Sequence, residues 1–202
     1  MEIFLNPYKL LSVVIIMNLK EAIVSRKSVR DFMPNKVPDW RKIMRAIDYA
    51  RFAPSAGNNF VTKFLIITNE KKIAMLAKAS QQDFVGDVKA VVLVASDIEK
   101  LVDNFDDRGK KYTLLQAGAA IQNFWLGLVE QKLDSVWVGH FYEEQIKREL
   151  KIPDNFEVNA LFPIGKMKKI TVKRHLKMDL DQIVYFEKWG SKKMNPPARK
   201  VD

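Results

Sequence analysis

The feature that most constrains the fold is an apolar segment of helical spacing from Tyr112 to Gln131. Leu115, Ala119, Gln122, Phe124, Trp125 and Leu128 recur along it with the period of a helix, which suits it to burial rather than to solvent. Its Ala117-Gly118-Ala119-Ala120 stretch has almost no side chain. A second helix can therefore approach closely, whether it comes from the same monomer or from a second subunit.

Around this helix the chain alternates between the two periodicities. Trp40, Ile43, Met44, Ile47 and Ala50 predict a helix opened by Pro38-Asp39. Phe64 to Thr68 is a short apolar, β-branched run and predicts a buried strand. Lys71 to Ala79 returns to helical spacing, and Ala90 to Ala95 predicts a second buried strand. Ser135 to Val138 predicts a third strand, ending at Gly139-His140-Phe141, and Glu143 to Leu150 a helix. Val158 to Ile164 and Ile183 to Phe186 predict the last two strands. Interleaved helices and strands without repeats predict one α+β layered domain.

At 202 residues one such domain, with extensions, accounts for the chain. Asn18 is a natural helix cap, so residues 1–17 read as an N-terminal extension. Their apolar run, Leu10 to Met17, is far short of the roughly 20 residues that span a bilayer. Glu2 precedes the only early cation, Lys9, unlike a secretory leader. The expected organisation is an extension over 1–17, a folded domain over 18–190 and a basic tail over 191–202, in a soluble cytoplasmic protein with no membrane partner.

Composition excludes several chemistries. There is no cysteine, so disulfides, thiolate nucleophiles and zinc-thiolate sites are ruled out. The two histidines, His140 and His175, cannot build a multi-histidine metal centre, and no metal site is expected. The glycines form neither G-x-G-x-x-G nor a Walker loop. The net charge is +10, and eleven basic against four acidic side chains between Lys166 and Asp202 supply most of it. Such a balance raises nucleic acid as a partner. No helix-turn-helix, RNA-binding or zinc-finger signature accompanies it, and attraction of anionic cofactors and substrates is the simpler account.

Two short segments carry chemical information. Arg26-Lys27-Ser28-Val29-Arg30 packs three cations and a hydroxyl into five residues. Charge-assisted donors of this kind hold a phosphate dianion, although a basic cluster beside a helix is commonly a solvated face. Ala53-Pro54-Ser55-Ala56-Gly57-Asn58 is a turn of small residues that exposes backbone and one carboxamide. A planar heterocycle needs that close backbone approach, with donors and acceptors at its edge. Alone, each segment is weak. Together they point to a ligand with a phosphate at one end and a hydrogen-bonding ring at the other.

Five segments in order resemble the nitroreductase family of flavin enzymes. They are Ser25 to Phe32, Ala53 to Asn58, Gly118-Ala-Ala-Ile-Gln-Asn123, Trp137-Val-Gly-His-Phe141, and Phe162-Pro-Ile-Gly165 followed by Arg174. The resemblance runs from about Asn18 to Gly190. It implies a layered α+β sandwich, with a central mixed or antiparallel sheet flanked by helices, working as a homodimer whose C-terminal segments are exchanged. It implies FMN at the dimer interface, NADH or NADPH as co-substrate, and a small electron-poor acceptor such as a nitroaromatic or quinone, reduced by a ping-pong mechanism. A non-catalytic flavin-binding or flavin-storage protein is the alternative from another class, and a basic nucleic-acid-binding module a further one.

Residue by residue, the resemblance implies that Arg26 and Ser28 bind the FMN phosphate and that Lys27 lies along the ribityl chain. Arg30 becomes the cation at the pyrimidine edge, where negative charge develops on reduction. Pro54, Ser55 and Asn58 meet the ring, often the one bound mainly by the other subunit. Gly139 and His140 supply a strand end whose backbone N–H faces flavin N5. Gly165 precedes Arg174, a second phosphate clamp with Lys173 beside it. No side chain is assigned as a catalytic acid or base, because the flavin carries the chemistry.

Blander roles are expected elsewhere. The match at His140 is to backbone and gives its imidazole no acid–base task. Lys166, Lys168 and Lys169 read as solvated, and Trp125 and Trp137 as core. The chain also departs from the family. After Asn58 it reads Asn59-Phe60-Val61-Thr62, where Gln-Pro-Trp is usual, and Gln116 stands where an acidic residue is common.

Overall fold

The structure is a computed structural model that describes residues 17–168 and 178–194. The chain divides into two compact units, Met1–Lys169 and Ile170–Asp202. In the first, helix α1 (Leu19–Ser25) opens on Asn18, whose side chain accepts from the Glu21 N–H while the Glu21 carboxylate reaches back to the Asn18 N–H. This reciprocal cap satisfies two otherwise orphaned donors. Helix α2 (Trp40–Ala50) is capped by Asp39, as its Pro-Asp start predicts. Helix α3 (Glu70–Ser80), α4 (Glu99–Phe105), α5 (Asp107–Glu130) and α6 (Glu143–Leu150) complete the α-helices among the described residues of this unit. Strands β1 (Thr62–Ile67), β2 (Ala90–Asp97), β3 (Asp134–Ser135) and β4 (Phe156–Gly165) form one antiparallel sheet in the order β1-β2-β4-β3.

Strand β2 is buried on both faces, as its unbroken Ala-Val-Val-Leu-Val-Ala run requires. Val91, Leu93 and Ala95 face a core shared with Ile73 and Leu76 of α3 and Ile146 of α6. Val92 and Val94 face the other core, with Ile43 and Ala46 of α2 and Ile121, Phe124 and Leu128 of α5. The result is a helix–sheet–helix sandwich. Phe124 and Phe162 are fully buried and meet edge to face, with ring centroids 5.4 Å apart. Each such side chain contributes about 1.5–3 kcal/mol through burial.

The third strand differs from its expected span, Ser135 to Val138, because β4 contains Pro163. The register Asp134↔Gly165 and Ser135↔Ile164 would next pair Val136 with Pro163. Proline has no N–H to give the ladder. The Ser135 hydroxyl donates to the Pro163 carbonyl instead, at 2.7 Å. Pairing resumes in the same register at Val138, which exchanges two backbone hydrogen bonds with Leu161.

The second unit is described over 178–194. The expected strand from Ile183 to Phe186 is not formed. Leu180–Ile183 is instead helix α7, a single turn in which the Val184 N–H donates to the Leu180 carbonyl. Phe186 donates to the Ser191 carbonyl across a tight turn that uses positive φ at Glu187 and Gly190. An apolar run becomes a strand only when a neighbouring strand takes its backbone groups, and no described strand pairs with it here.

Close helix approach occurs at Gly127. A Cβ there would lie 2.8 Å from the Ala46 Cα, so this glycine sets the α2–α5 spacing. Gly118 has nothing within 4 Å of the equivalent position. Gly127→Ala should therefore cost about 1–3 kcal/mol by overpacking. Gly118→Ala should leave a lone chain unchanged or up to about 1 kcal/mol more stable through helix propensity. Denaturant unfolding of both variants checks the pair, and a destabilised Gly118→Ala would indicate another backbone against that glycine.

Candidate functional site

The basic segment leaves α1 at Arg26, whose N–H still donates to the Ala22 carbonyl before the backbone turns extended. Ser28 then bridges to Ser135 in parallel, with the Val29 N–H donating to the Ser135 carbonyl at 3.0 Å. Phe32 pairs with Met167, the Met33 N–H reaches the Lys166 carbonyl, and Lys168 donates to the Asp31 carbonyl. Val29 and Phe32 are buried anchors of this segment. Gly165 makes room for the second, since a Cβ there would come within 2.8 Å of the Phe32 ring. With these two side chains turned inward, Arg26, Lys27 and Ser28 are half-buried and Arg30 is exposed.

Arg26 has a defined seat. Its guanidinium lies over the Trp125 ring, 4.3 Å from the centroid. Stacking occupies the face of the guanidinium and leaves its in-plane donors for an anion. Among the described residues, no ion pair engages Arg26, Lys27 or Arg30. Lys166 adds to the field. Burial pushes its ammonium below the usual lysine range, Asp134 opposes that shift, and Lys42, Lys36 and Lys132 reinforce it. The expectation that Lys166 is solvated is thus corrected: it is half-buried beside the end of β4. The Asp134 carboxylate also accepts the Met167 N–H at 2.9 Å.

The turn from Pro54 to Asn58 is built differently. Ala56–Asn58 is a 3-10 turn with left-handed backbone at Gly57 and Asn58, φ 57° and 58°. The Asn59 N–H closes it on the Ala56 carbonyl. Gln116 of α5 then grips the outgoing chain, its Oε1 accepting from the Val61 N–H and its Nε2 donating to the Asn59 carbonyl, both at 2.9 Å. Pro54, Ser55, Ala56, Tyr112, Leu115 and Gln116 line a cavity of about 200 Å³.

The two segments therefore meet opposite parts of α5. Arg26 sits on Trp125 and the turn on Tyr112 and Gln116, roughly 14–20 Å apart along the helix at 1.5 Å per residue. Gly139 and His140 follow the Val138 bridge and are exposed, and no backbone hydrogen bond from either N–H forms among the described residues. Arg174 and Lys173 lie outside the described residues.

A family model described as "Nitroreductase family" matches residues 23–85 and 76–166, which include the basic segment, the turn, α5 and the sheet. The chain belongs to the nitroreductase family. The "Putative NADH dehydrogenase/NAD(P)H nitroreductase" of Methanothermobacter thermautotrophicus is 26% identical over 180 residues, 86% of this chain and 88% of that one. The "Putative nitroreductase" of Methanocaldococcus jannaschii is 29% identical over 101 residues, so the match spans half the length of that relative. Among solved structures, a nitroreductase family protein from Clostridium difficile 630 superposes with a TM-score of 0.75 at 29% identity, covering 85% of this chain and 99% of that one. An "FMN-dependent Nitroreductase" from Clostridium difficile R20291 shares the fold, with a TM-score of 0.70 at 20% identity, covering 83% and 98%.

Within this nitroreductase-family domain, sequence reading missed two contributors. Trp125 is core as expected, at 6% exposure, yet it is also the platform for Arg26. Gln116 stood out only as a departure from the family. Trp137, expected in the core, is 38% exposed because the ladder is interrupted beside it. No helix among the described residues is long and apolar enough to cross a membrane.

A larger cavity, of about 370 Å³, opens between α1, α2 and α5, lined by Tyr49, Phe52, Leu126 and Glu130 among others. The Tyr49 hydroxyl donates to the Glu130 carboxylate at 2.6 Å. That bond, then burial and the Glu130 charge, push its pKa up to about 12. The neutral phenol is the form that the fold favours. Its contribution is complete below the ordinary tyrosine pKa of 10.0 and is lost as pH rises through about 12. A phenolate absorbance titration of parent minus Tyr49→Phe should show one late-ionising group with a midpoint near 12, rather than near 10.

Proposed function

We propose that this chain is an FMN-dependent oxidoreductase that works as a homodimer. The observation that carries the reading is the half-buried set of Arg26, Lys27 and Ser28, with Arg26 held by Trp125 and its in-plane donors free of any carboxylate among the described residues. Two cations and a hydroxyl without counter-charge fit a phosphate monoester. When bound, FMN would take a hydride from NADH or NADPH and deliver electrons to an electron-poor acceptor such as a nitroaromatic or quinone. The names of the Methanothermobacter relative and the Clostridium difficile R20291 structure agree with that chemistry.

The chain's own residues bind and orient. Arg26 and Ser28 hold the phosphate, with Arg174 as a second clamp, and Lys27 lies along the ribityl chain. Arg30 places positive charge at the pyrimidine edge and favours the negative charge that develops there. Gly139 and His140 offer backbone N–H to N5. Pro54, Ser55 and Asn58 meet the ring of the cofactor anchored mainly by the partner, which accounts for their distance from Arg26 along α5. The stripe of exposed Leu115 and Gln122 with half-buried Gly118 and Ala119 supplies an α5 face for that partner, and Gly118 is open to receive it. One cleft then serves donor and acceptor in turn.

The purified protein should be yellow, release FMN on denaturation, scatter light as a dimer, and give parallel double-reciprocal plots with NAD(P)H and a quinone. Arg26→Ala should raise the FMN dissociation constant by about 10- to 150-fold, the effect of one charge-assisted hydrogen bond. Arg26→Lys should recover only part of it, because lysine keeps the charge but not the stacked fork. A chain that cannot be reconstituted with FMN overturns the reading. One that holds FMN unbleached by either nicotinamide is a flavin-storage protein instead.

A further inference from the structure

The Pro54–Asn58 turn has little to hold it in place by itself. Two successive residues are left-handed, and one backbone hydrogen bond, Asn59 to Ala56, closes it. Its outgoing backbone is fixed by a side chain 57 residues away in sequence. We infer that Gln116 is the positioning residue of this turn, and that the position requires a carboxamide in particular. The inference rests on the FMN reading above and deepens it.

The geometry makes the case. Gln116 is 3% exposed, and both ends of its amide are spent on backbone, one on the Val61 N–H and one on the Asn59 carbonyl. Asn59 is extended, with φ −101° and ψ 99°, and β1 begins at Thr62. The amide thus mimics a neighbouring strand for one donor and one acceptor just before the sheet takes over. Only a carboxamide carries a fixed donor and a fixed acceptor at that separation. An ionised carboxylate would accept from Val61 but set its second oxygen against the Asn59 carbonyl, without a proton between them. An apolar side chain of the same volume would leave both backbone groups buried and unpaired.

The tether continues inward. The Thr62 hydroxyl meets that of Ser96 at 3.1 Å, and Ser96 donates to the Asn159 side-chain oxygen at 2.6 Å. The backbone on the β1 side is therefore firm, and Gln116 transmits that firmness to the turn. Gln116 also lines the cavity between the turn and Tyr112, so its side chain fixes one wall of that cavity as well as the loop above it. Gln116 spends one donor and one acceptor on this backbone. Its influence on the ring passes through Pro54, Ser55 and Asn58.

The test uses full-length Gln116→Met, which keeps the volume, and Gln116→Glu, which keeps one acceptor. Amide hydrogen exchange at Val61 should quicken by about 5- to 150-fold in Gln116→Met, the worth of two neutral hydrogen bonds, and far less in Gln116→Glu. The FMN dissociation constant should rise at least about fivefold in both variants, and the visible band of bound FMN should shift. Should Gln116→Met lower only the melting temperature, with FMN affinity and spectrum those of the parent, Gln116 is a structural residue and the inference fails. If the parent itself takes up no FMN, the cofactor reading fails while Val61 exchange still decides whether the tether exists.

Discussion

The burial of α5 against the sheet is the interaction on which the other features depend. Its inner side inserts Ile121, Phe124 and Leu128 beneath β2 and β4, and Gly127 lets α2 lie across it. With that side fixed, the remaining directions of the helix become rigid mounts. Trp125 presents a ring to Arg26, and Gln116 presents an amide to the backbone of Asn59 and Val61. Neither mount would have a defined position on a helix held less firmly. A rigid element carries binding groups more accurately than a loop does, and here it also lends accuracy to two loops.

The charge distribution follows the same plan. Val29 and Phe32 insert into the core, and Arg26 and Lys27 just before them lie part-way out of water while Arg30 stays exposed. Partial burial raises the cost of leaving those charges without a counter-ion. It also strengthens any attraction to an anion that arrives. Lys166, with Lys36, Lys42 and Lys132 around it and Asp134 as its counter-charge, extends the field beyond the end of β4. An exposed cluster of equal charge would attract an anion far more weakly, because water screens it.

Much of this architecture is legible in the sequence, for reasons specific to each element. The doubly buried run of β2 has no polar alternation and reads as a central strand. Asn18 and Asp39 announce their helices because a cap is a local interaction. The basic segment 26–30 and the small-residue turn 53–58 are legible because residue type and spacing carry them. The roles of Trp125 and Gln116 are not, since their partners lie 99 and 55 or more residues away and only the fold brings them together. Ile183 to Phe186 misleads because β propensity has no force without a paired neighbour. The shortening of β3 was written at Pro163, on the partner strand rather than on the strand affected.

That proline has a consequence for how copies of this chain can meet. Sheets aggregate when an incoming strand finds an unbroken row of donors and acceptors along an edge. Beside β4 the outer strand offers only Asp134 and Ser135 before the row breaks, and the Ser28–Val29 backbone already occupies Ser135. This border of the sheet is closed to templated growth by a missing hydrogen on one residue and a short plug from another.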